Sequence, residues 1–347
     1  MALPSNPVTF DQVIAALLDE QHPFPATYLH GFSDISTKDL RTLKEVWDKV
    51  KADRRVSLLE DLEDIADADT LVSFDDVGRF ALSDPDPRAR VTATRILWEN
   101  EDRKLIPFFL KMLETDEDET VRAAAASALG KYVYLGELEE IPAEDLQQVE
   151  TSLLAVLAGK DKKLVRCRAL EALGFSSNEE VGELIKNAYE TDDPEWVSSA
   201  LFAMGRTADD SWQPPVMKMI KSKDSKIQLE AIRAAGELNL QDARDPLLDM
   251  LEDSIDNDEL KDITVWSLSK IGGENVRETI EKLLENAEED DEAEFLEMAL
   301  DNLSFTEDYQ RMELFDFGRP DEDDLDSIID FDEDDEDSDF ADEDGEP

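Results

Sequence analysis

The sequence offers few residues that could carry out acid–base, nucleophilic or metal chemistry. Its two histidines, His22 and His30, stand close together near the N-terminus, and its single cysteine, Cys167, has no histidine near it in the sequence. The acidic run Asp332–Asp337 lacks the spaced ligands and the turn glycine of an EF-hand loop. We therefore expect a protein that is not an enzyme, with no catalytic residues, no metal site and no cofactor.

Charge is the outlying property of the composition. The 347 residues include 88 Asp and Glu against 35 Lys and Arg, which gives a formal net charge of −53. Such a chain repels polyanions, which argues against direct binding of nucleic acid and favours a partner protein with a basic patch. A halophilic adaptation is an alternative, although 18 of the 35 basic residues are lysine.

The location of the protein is predicted from what the sequence lacks. The N-terminus has no basic region followed by an apolar run, as a secretory signal would. No apolar stretch approaches the roughly 20 residues that span a bilayer. A single cysteine excludes a disulfide within the chain and fits a reducing compartment. We expect a cytoplasmic monomer that does not enter a membrane.

Three arginines recur in one local context and are the first candidates for binding a partner. Each stands at the second position of a short helix, after a turn rich in aspartate: Arg90, Arg122 and Arg166. If these helices stack, the arginines form a column for an acidic peptide or for the chain's own C-terminal residues. The structural alternative pairs each arginine with an aspartate of the turn just before it, namely Asp86, Asp118 and Asp161.

Two aromatic residues and the C-terminal stretch complete the candidates. Phe202 and Trp266 fall outside the apolar stripes of their helices, so each is either an exposed contact residue or packs on an adjacent repeat. Residues 320–347 contain no Lys or Arg, and 17 of these 28 residues are acidic, which predicts a disordered tail. This tail either solubilises the protein or docks on a partner through its apolar residues: Leu325, Ile328, Ile329 and Phe331.

The helices that carry these residues repeat along the chain. Five alanine-rich or apolar stretches end on glycine: Thr120–Gly130, Leu164–Gly174, Glu195–Gly205, Lys226–Gly236 and Asp262–Gly272. Glycine just past the last periodic residue predicts a helix stop. We define the anchor position as the apolar residue nine before that glycine. Seven anchors follow one another at steps of 32, 44, 31, 31, 36 and 32 residues.

Two features of this repeat predict how it packs. The fourth residue after each anchor is small, which lets neighbouring helices approach closely: Ala93, Ala125, Ala169, Ala200, Ala231, Ser267 and Ala299. The long steps contain two insertions, Tyr132–Asp145 and Ser254–Glu259, which predict loops that either shape a binding face or have drifted neutrally.

The domain organisation follows from pairing each of these second helices with an amphipathic helix before it. This arrangement predicts an all-α protein with about eight antiparallel helix pairs over residues 33–304. A capping box at Thr9 and Gln12 starts a helix within residues 1–32, which we expect to cap the first pair. Residues 305–319 are expected to close the other end, before the acidic tail at 320–347.

The repeat resembles a known family. Val-Arg-x-x-Ala-x-x-Ala-Leu-Gly after an Asp-rich turn is complete at Val121–Gly130 and Val165–Gly174, and it resembles the HEAT repeat in the short form of phycobilisome lyases. The resemblance implies an α-solenoid whose second helices line the concave face, and an Asp/Arg pairing that is structural. The iron-binding His-Glu pairs of deoxyhypusine hydroxylase and the cationic face of HEAT-like DNA glycosylases are absent here.

These observations predict a non-enzymatic scaffold or adaptor. It would bind partner proteins through the solenoid surface and the acidic, apolar-punctuated tail, while each repeat stabilises its neighbours. The alternative is a lyase-like or enzyme-maturation accessory protein, which rests on analogy with HEAT-like proteins alone.

Overall fold

The described part of the chain is helical throughout. The structure is a computed structural model that describes residues 8–252 and 257–314 and contains no strand within those ranges. It divides into two compact units, Met1–Ile271 and Gly272–Pro347. None of the described helices is long and apolar enough to cross a membrane. The tail candidates Leu325, Ile328, Ile329 and Phe331 lie outside the described residues.

The first unit consists of an N-terminal helix and seven helix pairs. Its helices are α1 (Phe10–Leu18), α2 (Thr37–Val46), α3 (Ala52–Ala68), α4 (Asp75–Ala81), α5 (Pro87–Ile96), α6 (Ile106–Thr115), α7 (Glu119–Glu137), α8 (Ala143–Ala158), α9 (Lys163–Leu173), α10 (Glu179–Tyr189), α11 (Pro194–Arg206), α12 (Gln213–Met219), α13 (Ser225–Glu237), α14 (Arg244–Glu252) and α15 (Asp258–Ile271). The pairs run from α2 and α3 to α14 and α15.

The second unit contains the eighth pair, α16 (Val276–Glu285) and α17 (Asp290–Leu314). These two helices pack on each other, and Ile280 and Leu303 are buried. Helix α17 continues ten residues past Ser304. Phe305 and Tyr309, which were expected to cover the end of the array, are 73% and 54% exposed. The prediction of about eight helix pairs is therefore confirmed, whereas these two rings do not form a buried cap.

An aspartate N-cap begins four of the second helices, α5, α7, α11 and α13. Asp86, Asp118, Asp193 and Asp224 each accept a hydrogen bond from a backbone N–H in the first turn of the helix that follows. An aspartate at this position accepts a hydrogen bond from a backbone N–H that has no partner inside the helix. Its negative charge is also attracted by the positive end of the helix dipole. The Asp-rich turns are thus helix starts.

The second helices of the first unit stack on one another. Each of α3, α5, α7, α9, α11 and α13 packs on the next second helix along the chain. The small residues predicted at the fourth position after the anchor are all buried, including Ala93, Ala169 and Ser267. A larger side chain at these positions would hold the helices apart, so the sequence prediction of close packing is confirmed.

The recurring glycines are contact points between helices. The predicted helix stop is confirmed at Gly174 and Gly272, which directly follow α9 and α15, and α11 and α13 end one residue after Gly205 and Gly236. It is wrong at Gly130, which lies inside α7. A Cβ atom on Gly130 would lie 3.1 Å from the Cα of Ala172, and one on Gly205 would lie 3.0 Å from the Cα of Ala234. Glycine is needed because the backbone of the next second helix leaves no room for a side chain.

The insertion Tyr132–Asp145 lengthens two helices. Helix α7 runs on to Glu137, α8 begins at Ala143, and a short connection joins them. Tyr132 is buried, its ring centroid lies 6.2 Å from that of Phe109, and its hydroxyl donates to the carbonyl of Asn100 at 3.2 Å. The predicted loop is therefore wrong here, because these residues have an apolar face that the helix buries. The second insertion, Ser254–Glu259, falls largely outside the described residues.

The N-terminal residues pack on the first pair. The capping box at Thr9 and Gln12 is present, and Val13 and Leu17 of α1 are buried. Helix α1 contacts α2, and a 3-10 turn at Ala26–Phe32 contacts α3. Arg54 of α3 donates hydrogen bonds to the carbonyls of Ala16 and His22, at 3.3 and 2.5 Å. Residues 8–32 thereby cover one side of the first helix pair.

Candidate protein-binding groove

The predicted arginine column is engaged in ion pairs between consecutive repeats. Arg90 donates to both carboxylate oxygens of Asp116, at 2.8 and 2.7 Å, and Arg122 donates to both of Asp161, at 2.9 and 2.6 Å. Each arginine also donates to a carbonyl of its own preceding turn, Arg90 to that of Asp84 at 2.7 Å. The two guanidinium groups connect one turn with the next.

The aspartate predicted to pair with each arginine was the wrong one. Asp86 and Asp118 use their carboxylates to cap α5 and α7, so the arginines reach across to the turn of the following repeat. The pKa of Asp161 lies below its usual range, chiefly because Arg122 donates to it. The side chains of Arg90 and Arg122 are only 15% and 14% exposed, which leaves little of them for an acidic peptide.

The same arrangement occurs once more, at a residue that sequence analysis missed. Arg55 of α3 is buried and donates to both carboxylate oxygens of Asp84, at 2.7 and 2.9 Å. We call the three pairs Arg55–Asp84, Arg90–Asp116 and Arg122–Asp161 the arginine–aspartate ladder. Arg166 differs: it donates to the carbonyl of Leu157 and lies 5.2 Å from the ring centroid of Trp196.

A groove of about 820 Å³ runs along the second helices of the first unit. It is lined by residues of five consecutive second helices, α3, α5, α7, α9 and α11. Several of these residues stand three or six positions after the anchor of their repeat: Arg95, Ala124, Ser127, Arg168, Glu171 and Phe202. These positions lie on one face of each helix, so stacking of the repeats forms one continuous surface.

One end of the groove combines an exposed indole with carboxylates. Trp98, just after α5, is 48% exposed. Asp67 and Glu99 line the groove nearby, and both are exposed. Glu63 is paired with Arg95. This end therefore presents an aromatic face together with carboxylates that have the sign to attract a basic side chain.

At the other end, Phe202 and Arg206 line the groove and belong to a stack of rings and guanidinium groups that continues beyond the groove lining. The ring centroids of Tyr134 and Phe175 are 5.0 Å apart. The guanidinium carbon of Arg206 lies 4.5 Å from the centroid of Phe175 and 4.2 Å from that of Phe202. Arg233 lies 5.9 Å from the centroid of Phe202 on α11. We call these five residues the aromatic–arginine stack, and cation–π attraction stabilises it.

Two carboxylates near the stack, Glu171 and Glu230, differ in how many hydrogen-bond and ion-pair partners they have. Glu171 is buried, accepts from the Ser199 hydroxyl at 2.7 Å and pairs with Arg168. Burial raises the pKa of Glu230, whose Oε2 lies 3.5 Å from Arg233 Nη1 and accepts no hydrogen bond among the described residues. Burial lowers the pKa of Arg206 to about 10.

The cysteine and the histidines of the chain lie away from the groove lining. Cys167 is buried, and burial raises the pKa of its thiol, so it is protonated at neutral pH. Both histidines lie in the N-terminal residues outside the groove lining. No group of three or more His, Cys, Asp or Glu residues is placed to hold a metal ion in the described ranges. The arrangement can bind a chain through aromatic, cationic and anionic contacts.

The predicted partner-binding residues do not share one site in the structure. Phe202 lines the groove, whereas Trp266 is half-buried in α15 and is not among the lining residues. Arg90 and Arg122 belong to the ladder. Sequence analysis missed Trp98, although it occupies the glycine position of its repeat, nine residues after the anchor Ala89. A departure from the repeat at that position was the signal that could have found it.

The fold defines a helical-repeat protein whose stacked second helices line one groove. A model of HEAT repeats matches residues 79–148, 183–263 and 213–304, which together make up more than half of the chain. The protein belongs to the HEAT-repeat family. No curated protein matches the chain.

Solved structures with similar folds are distant in sequence. YibA of Escherichia coli is 15% identical over 82% of this chain and 98% of that one, with a TM-score of 0.39. The CpcE–CpcF complex of phycocyanin lyase from Nostoc is 19% identical over 66% of this chain and 94% of that one, with a TM-score of 0.45. Human deoxyhypusine hydroxylase is 15% identical over 85% and 96%, with a TM-score of 0.34. These likenesses concern the fold alone.

Proposed function

We propose that this protein is a non-enzymatic interaction scaffold that binds a segment of a partner protein in the groove. The observation that carries the proposal is the pair of partly exposed aromatic side chains, Trp98 and Phe202, which line one groove built from consecutive second helices. Aromatic residues in a recess are the usual centres of protein–protein binding energy. The groove crosses five consecutive second helices, which suits an extended or helical segment.

The charge around Trp98 indicates what that segment carries. Asp67 and Glu99 line the groove together with the exposed indole, and Glu99 Oε2 lies 3.9 Å from Lys131 Nζ. A lysine or arginine of the partner would therefore gain a cation–π contact with Trp98 and an ion pair chiefly with Asp67. The acidic residues 320–347 and the net charge of −53 would steer a partner with a basic patch toward the protein. The lone cysteine Cys167 fits a scaffold that works in the cytoplasm.

The test compares two exposed aromatic residues that differ in position. Trp98, in the groove, is 48% exposed, and Phe108, on the first helix α6 and outside the groove lining, is 52% exposed. Trp98→Ala and Phe108→Ala each remove one exposed ring and leave the core intact. Full-length protein carrying either substitution would be used for quantitative affinity purification from the source cells, followed by binding titrations with the captured partner.

We expect Trp98→Ala to weaken binding of the captured partner about thirtyfold or more, because loss of a central aromatic contact costs about 2 kcal/mol or more. Phe108→Ala should bind as the unmodified protein does. The proposal is wrong if both variants bind equally well, or if only Phe108→Ala loses the partner, since the binding surface then lies outside the groove.

A further inference from the structure

Arg206 occupies an unusual position for a charged residue. It closes helix α11 and lies between the rings of Phe175 and Phe202, at 4.5 and 4.2 Å from their centroids. Rings on two sides restrict the rotamers of the side chain, so its planar group has a defined orientation before any ligand arrives. Arginine stacks on aromatic faces in this way while its N–H groups remain directed outward from the edge of the plane.

Most N–H donors of the Arg206 guanidinium group make no hydrogen bond within the described residues. Its described hydrogen bond runs from Nη1 to the backbone carbonyl of Glu171, at 3.0 Å. Two neighbouring arginines differ, because Arg168 of the groove lining is paired with Glu171, and Arg233, outside the lining, lies 3.5 Å from Glu230. Arg206 makes no ion pair within the described ranges. A guanidinium group has five N–H donors, and a desolvated charge without a carboxylate is costly.

We propose that Arg206 binds a carboxylate of the partner segment held in the groove. This inference rests on the proposed function and adds the chemistry of its second contact. Glu171, Glu237 and Glu230 attract the guanidinium group electrostatically, but none of them accepts a hydrogen bond from it through its described carboxylate. Two parallel N–H···O bonds to a carboxylate of the partner would add a directly bonded counter-charge in a site that is already partly desolvated. The rings of Phe175 and Phe202 beside the guanidinium group offer apolar surface to a side chain next to that carboxylate.

The occupant we assign is therefore a protein segment in which an acidic residue is adjacent to a large apolar one. Charge complementarity supports this choice, because the stack contains two arginines, Arg206 and Arg233, whereas the end near Trp98 has exposed carboxylates. A segment with an acidic–apolar end and a basic end would match both. The two ends of the groove would then determine the direction in which the segment lies.

The test uses two short labelled peptides and matched arginine variants of the full-length protein. In one peptide, aspartates alternate with leucine and phenylalanine; in its twin, asparagine replaces each aspartate. Arg206→Met keeps a flexible apolar chain between the two rings and removes the charge. Arg41→Met, at an exposed arginine of α2 outside the groove lining, changes the net charge equally. Melting curves would confirm that both variants are folded.

The unmodified protein and Arg41→Met should bind the aspartate peptide about tenfold to a hundredfold more tightly than its asparagine twin, as expected for a charge-assisted hydrogen-bonded pair. Arg206→Met should lose this preference and still bind the asparagine peptide. Titrations at about 0.15 M ionic strength limit the general repulsion between the acidic protein and an acidic peptide. Arg206→Lys should restore part of the preference, because it retains the charge without the planar fork.

The carboxylate assignment is wrong if Arg206→Met retains the preference, or if the unmodified protein shows none. The proposed function would survive either result, provided that partner capture still depends on Trp98. If Ile328→Ser together with Ile329→Ser in the full chain tightens peptide binding tenfold or more, the occupant is the chain's own C-terminal stretch, and the assignment to a partner is overturned. Loss of the Trp98 dependence would refute the groove itself.

Discussion

The Arg122–Asp161 pair of the ladder provides a quantitative test of how the repeats are joined. Arg122 donates four hydrogen bonds, two to Asp161 and one each to the carbonyls of Asp116 and Glu117. The side chains of Arg122 and Asp161 are 14% and 21% exposed. Exposed ion pairs contribute about 0–1 kcal/mol, and breaking a fully buried pair costs about 3–5 kcal/mol. We therefore expect Arg122→Met to lower the free energy of unfolding by about 2–3 kcal/mol.

A double-mutant cycle isolates the pairwise contribution. Combining Arg122→Met with Asp161→Asn should show a coupling energy of about 1–2 kcal/mol, measured by urea unfolding followed by far-ultraviolet circular dichroism. The denaturant dependence must stay the same in all variants, because repeat arrays can lose cooperativity. Since Arg122 holds the pKa of Asp161 low, the coupling should be fully present above about pH 4 and disappear as the pH falls through the lowered pKa.

Asp118 is the matched control for this cycle. Its carboxylate caps α7 by accepting from the backbone N–H of Thr120 at 2.8 Å. Asp118→Asn should lower stability by less than about 1 kcal/mol, because asparagine caps a helix about as well as aspartate and only the favourable charge at the helix N-terminus is lost. Its coupling with Arg122→Met should stay below about 0.3 kcal/mol. Coupling of Arg122 to Asp118 and none to Asp161 would refute the ladder and restore the pairing with the preceding turn.

Three further outcomes are expected. Ala169→Leu should overpack the contact between second helices and cost about 1–3 kcal/mol of unfolding free energy, whereas Ala155→Leu, at an exposed position of α8, should be neutral; equal effects would contradict the stacking. Glu230→Gln should stabilise the protein at pH 7, because its raised pKa means that the charged form is disfavoured in the folded state. This gain should shrink as the pH of the thermal melts approaches the unfolded-state pKa of about 4.3, and vanish below it as the carboxyl becomes protonated in both states. Removal of residues 320–347 should leave the melting temperature unchanged and weaken capture of a basic partner. A large drop in melting temperature would contradict the prediction that this stretch is a separate acidic tail.

The stacking of small residues was predictable because it repeats in the sequence. An alanine or serine stands at the fourth position after every anchor, and each of these residues is buried. The helical period decides which face of each helix is apolar, whatever the neighbours are. The helix pairs and the close contacts at Ala93 or Ala169 could therefore be inferred without coordinates.

The groove was harder to predict because its residues are distant in sequence. Phe202 was identified as a residue outside the apolar stripe. Its contact with Arg206 lies within α11, four residues apart, but its contact with Arg233 comes from α13. Trp98 and Arg206 are ordinary residues near the ends of α5 and α11 when each repeat is considered separately. Only stacking of the repeats brings one to each end of a common surface.

The sequence by itself determined the elements of this protein, and the tertiary structure decided which of them touch. Local periodicity specified the second helices, their small contact residues and the aspartates of the turns. It did not specify that Arg122 reaches Asp161 rather than Asp118, or that Gly130 faces Ala172 of the next second helix. The physical reason is that such contacts depend on the rise and rotation from one repeat to the next. These quantities arise from packing among many side chains at once.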